Sequence, residues 1–311
     1  MSFAAETKTE LCRQACEQAC CKRALCYGML LFAKQFSLKS IAFTTEHRET
    51  AVLFADLLAE QMQIISQLSS KMTRRAGNLV ASTVTVPYAQ QREQLLTGFG
   101  YTGHEVSLRI LPQLFHEPGC TAAFLRGAFL SCGTVTNPAK EYHLEFAVPY
   151  MNLAKDLQQL LAQTPALAMQ PSVIGRKGSF VVYSKDSQGI ENLLTFMGAV
   201  NASMELMQVK MLKEMRNQIN RKTNFETANI DKTVSASAKQ IEAIEVIAQT
   251  VGLHRLPPQL QELAQLRLEH PELSLRELGQ RLSEPISRSG VNHRLNRILV
   301  FAEEINQTTH D

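Results

Sequence analysis

The chain has 311 residues, 45% of them hydrophobic and 20% charged, with 15 glycines, 11 prolines and a formal net charge of +3. That is room for about two average domains, and it excludes collagenous, low-complexity and strongly charged chains. The longest apolar run, residues 24–33, is about half of what a bilayer crossing needs, and the opening Met-Ser-Phe-Ala-Ala-Glu-Thr-Lys has no apolar signal core, so a cytoplasmic protein with no membrane partner is expected.

A cysteine cluster comes first along the chain. Five of the 7 cysteines, Cys12, Cys16, Cys20, Cys21 and Cys26, crowd into residues 12–26. The odd count and the missing export signal argue against a disulfide framework. Cys12, Cys16 and Cys20 stand four apart and would share one helix face, yet no paired C-x-x-C set and no nearby histidine completes a zinc site. Reduced, half-buried thiols without metal or other cofactor are the expectation, with a thiolate metal site as the sharper alternative.

A repeat organises the first two hundred residues. Residues 26–34 align with 125–133, pairing Gly28 with Gly127. Each apolar helix is followed by a β-like segment (40–45; 142–148), an amphipathic helix (49–61; 152–163), a second β-rich piece (78–86; 179–183) and a helix ending near glycine (91–98; 189–198). The unit is α-β-β-α-β-β-α in outline, used twice. Glycine within an apolar helix costs stability, and close approach of the two helices about a pseudo-two-fold axis would account for both copies; tolerance of a bulky neighbour would also serve.

Leu125–Gly133 resembles the nine-residue LAGLIDADG helix of homing endonucleases, keeping Leu125, Gly127 and Gly133. In those enzymes the helix ends in an acid that holds a divalent metal at the DNA cleavage centre. Here the eighth position is Cys132, and its counterpart in the first copy is Ala33; the sixth positions are Leu31 and Leu130. None offers the hard oxygen that such a metal takes, so the resemblance implies the scaffold without metal or catalysis.

Past Met207 the β-rich pattern stops. Residues 208–222 carry Lys210, Lys213, Arg216, Arg221 and Lys222 against Glu214 alone, and residues 215–232 are dense in Asn and Thr. That composition suits a polar surface for phosphates, or a plain linker. Helix is expected again from Ala238, with Ile241, Ile244, Ala248 and Val251 on one face and Gly252 as its stop.

Pro257-Pro258 opens the next helix, with Leu260, Leu263, Ala264 and Leu268 on helical spacing. Ser274-Leu275-Arg276-Glu277 is a capping box that starts another. A turn over Ser283, Glu284, Pro285, Ile286 and Ser287 leads to a last amphipathic helix, which makes a helix-turn-helix pattern. At about 100° per residue, Val291, Leu295 and Ile298 share the core side. Ser289, His293 and Asn296 project opposite, Asn292 and Arg297 flank that face, and Arg288 and Arg294 sit towards its edges. Short hydrogen-bonding side chains suit base edges, so Ser289, Asn292, His293 and Asn296 are the candidate base readers. Arg288, Arg294 and Arg297, with Lys210, Lys213, Arg216, Arg221 and Lys222, are the candidate phosphate contacts.

Over nearly its whole length the chain resembles the WhiA family of Gram-positive DNA-binding regulators. The motifs are Cys20-Cys21-Lys22, residues 123–130, Arg216-Asn217 with Asn220-Arg221, Glu226-Thr227-Ala228-Asn229, and residues 289–295. Phe225, where the family usually has Cys, and Lys34, where it has a small residue, depart from the pattern. The resemblance implies an α+β protein: a two-repeat LAGLIDADG-like domain over residues 1–207, a basic Asn-rich linker over 208–237, and an all-α helix-turn-helix domain over 238–311. It further implies a nucleoid-associated transcription regulator of sporulation and cell division, with double-stranded DNA as partner and no enzyme activity. Two other functions stay open on the residues alone: a DNA-tethered scaffold that takes a protein partner through its N-terminal domain, and an endonuclease.

Overall fold

The computed structural model describes residues 2–73 and 79–308. They fall into two compact units, Met1–Glu214 and Met215–Asp311. No helix among the described residues is long and apolar enough to cross a membrane.

The first unit begins with α1 (Phe3–Arg13) and then runs one series twice. The first copy is α2 (Ala19–Leu31), β1 (Gln35–Phe36), β2 (Ile41–Thr45), α3 (Arg48–Met62), β3 (Gln67–Thr73), β4 (Leu79–Thr85) and α4 (Ala89–Gly98). The second is α5 (Pro118–Cys132), β5 (Gly133–Val135), β6 (Leu144–Val148), α6 (Met151–Gln163), β7 (Ser172–Arg176), β8 (Ser179–Ser184) and α7 (Ser187–Met197). The sheets are antiparallel, with matching orders β1-β2-β4-β3 and β5-β6-β8-β7. Equivalent registers put Phe43 opposite Val84 and Phe146 opposite Val182. All four are buried, because alternation along each strand turns one face to the core. The expected α-β-β-α-β-β-α order is therefore present in both halves. Of the first half's second β-rich piece, Asn78 lies outside the described residues.

The glycines explain how the halves meet. A Cβ on Gly28 would stand 3.0 Å from the Ala128 amide nitrogen and nearer still to the Phe124 carbonyl oxygen. One on Gly127 would stand 2.9 Å from the Met29 amide nitrogen and nearer still to the Leu25 carbonyl oxygen. Each glycine thus admits the backbone of the other helix, and no larger residue fits without parting them. Around this crossing Tyr27 lies 5.3 Å, centroid to centroid, from both Phe99 and Phe124.

Two expectations need correction. Cys12, Cys16 and Cys20 do not share a helix face, since α1 ends at Arg13 and α2 starts at Ala19, with Cys16 in the connection between them. And residues 208–237 are not an irregular stretch before a helix that begins at Ala238: they lie inside α8 (Val200–Thr250), a single helix of 51 residues. Asn and Thr are weak helix formers, but the stretch contains no Gly or Pro, and a nucleated helix propagates cheaply. The nucleus is well held, for the Glu10 carboxylate accepts from the amides of Asn201 (2.7 Å) and Ala202 (3.1 Å) in its first turn.

The second unit holds the rest of α8, then α9 (Pro258–Glu269), α10 (Leu275–Arg281) and α11 (Arg288–Thr308). Its core is Ile244 and Ile247 of α8 with Leu260, Leu263, Leu278, Leu282, Val291, Leu295 and Ile298. The buried face of α8 is Ser237, Gln240, Ile244 and Ile247; Ile241 is half-buried and Ala248 exposed. The face is rotated from the expected one because Ser237 docks on a neighbour, its hydroxyl donating to the Pro271 carbonyl oxygen at 2.8 Å.

Candidate nucleic-acid interface

The capping box forms as expected. Ser274 donates to the Glu277 carboxylate from both its amide (2.9 Å) and its hydroxyl (2.7 Å) and accepts from the Glu277 amide. The Ser274 side chain, then its backbone, hold the Glu277 carboxyl below the usual range. The turn after α10 is fixed at three points. The Ile286 amide donates to the Gly279 carbonyl oxygen at 3.0 Å. The Ser283 amide and hydroxyl donate to the Glu262 carboxylate at 2.6 and 3.0 Å. Ser287 caps α11 by accepting from the Gly290 amide at 3.3 Å. Gly279 is required here: a Cβ would stand 3.0 Å from Val291 Cγ2 and nearer still to the Ile286 carbonyl oxygen.

On α11 the partition is plain. Val291, Leu295 and Ile298 are buried, whereas Arg288, Ser289, Asn292, His293, Asn296 and Arg297 are exposed. Arg294 is only half-exposed, so its stem is part of the packing. The exposed residues divide between two flanks. Arg288 and Asn292 share a groove with Lys232, Arg267 and Arg276, and no acid lines it. His293, Asn296 and Arg297 border another with Arg255 and Glu304. Arg267 is buried and occupied, donating to the Leu273 carbonyl oxygen at 2.7 Å, and burial lowers its pKa. Lys232 and Arg276 are exposed. Sequence reasoning missed both, because one sits on α8 and the other in the capping box, far from α11 in sequence.

The basic stretch of α8 divides as well. Lys210 Nζ donates to Gln188 Oε1 at 2.7 Å and lies 3.8 Å from Glu191. Lys213 Nζ donates to the Pro138 carbonyl oxygen at 2.6 Å and stands 4.6 Å above the Tyr142 ring centroid. These two cations are spent inside the first unit, against the expectation of free phosphate contacts. Arg216, Arg221 and Lys222 are exposed. On the helix Arg216, Asn217, Asn220 and Arg221 fall within about 140° of arc, a polar face with a guanidinium at either edge.

The sixth and eighth positions of the two central helices carry no carboxylate. Ala33, Leu31 and Leu130 are buried, and burial pushes the Cys132 thiol up to about 12. Beside them Lys8 Nζ donates to the Leu130 carbonyl oxygen at 3.3 Å. A fixed ammonium at the negative end of α5 suits the helix dipole and repels a divalent cation. Burial lowers the Lys8 pKa.

Comparison with known proteins assigns both units. Residues 121–216 match the WhiA LAGLIDADG-like domain and residues 219–302 the WhiA C-terminal HTH domain. The chain is 35% identical over 317 aligned positions to the probable cell division protein WhiA of Caldicellulosiruptor bescii, covering 98% of this chain and 96% of that one. It is 36% identical to the protein of the same name from Thermoanaerobacter pseudethanolicus, with 99% of each covered. Among solved structures, full-length DUF199/WhiA from Thermatoga maritima aligns with a TM-score of 0.60 and 25% identity, over 98% of this chain and 99% of that one.

Proposed function

The chain belongs to the WhiA family, and on that premise we propose that it is a sequence-specific DNA-binding transcription regulator acting in cell division and sporulation, without nuclease activity. The observation that carries this is α11. Its exposed face offers two asparagines, a histidine and a serine between arginines, after a turn that Gly279 and Ser283 hold in one geometry. Short amides and imidazole suit base edges in a major groove, and guanidinium groups suit the flanking phosphates. Ser289, Asn292, His293 and Asn296 are assigned to the bases. Arg288, Arg294 and Arg297 are assigned to the backbone, joined by Lys232 and Arg276 from the acid-free groove and by Arg216, Arg221 and Lys222 of α8. Lys210 and Lys213 are left out because they are engaged within the first unit.

The case against cleavage rests on Ala33, Cys132 and Lys8. Two-metal or one-metal hydrolysis needs carboxylates to fix the ion and its water, and the helix ends present alkyl, thiol and ammonium groups. The deciding experiment maps bound sites across the genome for the full chain and for a Gly279→Val variant. Discrete sites lost in the variant support a sequence-reading helix-turn-helix. Site patterns that survive it would assign binding to another surface, with the scaffold function as the alternative.

A further inference from the structure

The N-terminal ends of the two central helices bring together thiols that lie far apart in sequence. The Sγ atoms of Cys20 and Cys21 on α2 and of Cys120 on α5 all lie within 4.8 Å of one another, and Cys21 and Cys120 approach to 3.9 Å. They are related by the same repeat that pairs Gly28 with Gly127, since Cys21 and Cys120 are 99 residues apart. Local spacing could not show this, because the third sulfur comes from the other half. The approach is tight: a Cβ on Gly119 would stand 3.2 Å from Cys21 Sγ.

We propose that Cys20, Cys21 and Cys120 form a thiolate site for a soft divalent cation of the Zn²⁺ class, which clamps the two central helices at the end opposite the degenerate catalytic centre. Sulfurs bound at about 2.3 Å around a tetrahedral ion stand about 3.8 Å apart, so the observed spacing needs only small side-chain rotations. Binding exchanges three S–H protons, released to solvent, for three metal–sulfur bonds. The fourth position goes to water or to Cys16, which lines an open groove with Cys21. No electron transfer is involved.

A second observation points to an anion at this place. Arg126 on α5 is 4% exposed, borders the same groove, and leaves its Nε without a hydrogen-bond partner. Its Nη1 donates to the Gln14 carbonyl oxygen at 3.2 Å. Among the described residues, no ion pair joins this guanidinium to a carboxylate, and a buried cation is costly without a counter-charge. A divalent ion on three thiolates has a net charge of −1, which meets that need, whereas three protonated thiols are neutral and leave the arginine without a counter-charge.

The test uses the full-length, fully reduced protein. Titration with Co²⁺ should give a saturable thiolate-to-metal charge-transfer band at one equivalent, displaced by Zn²⁺. Cys120→Ser should lower the affinity by more than about 100-fold, the upper end of what loss of an outer-shell partner costs, while Cys132→Ser at the far end of α5 leaves it unchanged. Cys20→Ser, at a half-buried position, repeats the test should Cys120→Ser not fold. In the wild-type protein, Zn²⁺ should protect Cys20, Cys21 and Cys120 from alkylation, mapped by mass spectrometry. Absence of the band, a band that survives both substitutions, or a Cys21–Cys120 disulfide formed in air with no metal binding after reduction would each overturn the proposal.

Discussion

At the residue scale the proposed division runs along α11, between exposed side chains assigned to bases and those assigned to the phosphate backbone. Asn292→Ala and His293→Ala are expected to cost about 1–3 kcal/mol on the specific site and almost nothing on random duplex, because a lost base contact matters only where that base is offered. Arg288→Gln should weaken both, since every duplex presents phosphates. Arg288 is a cleaner probe than Arg294, whose half-buried stem would confound lost charge with lost packing. Binding titrations of these variants on the two DNAs measure the split. Equal losses on both DNAs for Asn292→Ala would move the base readers elsewhere, first to the exposed Asn217 and Asn220 of α8.

At the element scale, two close approaches and one long helix carry the consequences. Gly127→Leu should destabilise the first unit by on the order of 1–3 kcal/mol or more, because the added side chain meets the α2 backbone rather than a movable neighbour. A melting temperature equal to wild type would remove the packing account. Along α8, changing Arg216, Arg221 and Lys222 together to Gln should flatten the slope of log affinity against log salt by about two to three. The double change of Lys210 and Lys213 to Gln should leave that slope alone, because both ammonium groups are already taken up by Gln188, Glu191 and Pro138. A salt slope that responds to the second pair and not to the first set would reverse the assignment.

On the scale of the whole molecule, a LAGLIDADG-like domain is joined to a helix-turn-helix domain, and the proposed absence of cleavage is open to a direct test. Supercoiled plasmid incubated with the protein and Mg²⁺ or Mn²⁺ should remain uncut. Specific nicking that is abolished by chelator and by Glu145→Gln would show that a carboxylate outside the central helices had been recruited; Glu145 now lies 3.2 Å from His143 and 3.4 Å from Arg176. Much of this architecture was legible in the residues. Periodicity and paired glycines marked the two halves, Ser274 and Glu277 marked a helix start, and angular spacing separated Val291, Leu295 and Ile298 from the exposed face. Those signals are local, set by backbone geometry and by which side chains avoid water. The edge strands β3 and β7 were not legible, because their exposed, largely polar sequences carry no apolar alternation and are held by pairing with β4 and β8. Nor was the helicity of residues 208–237, where cooperative propagation from a start capped by Glu10 outweighs weak local propensity. The fate of Lys210 and Lys213, the rotated face of α8 around Ser237, and the meeting of Cys20 and Cys21 with Cys120 were decided by tertiary structure alone. Each depends on a partner distant in sequence, and spacing along a chain cannot encode a distance across a fold.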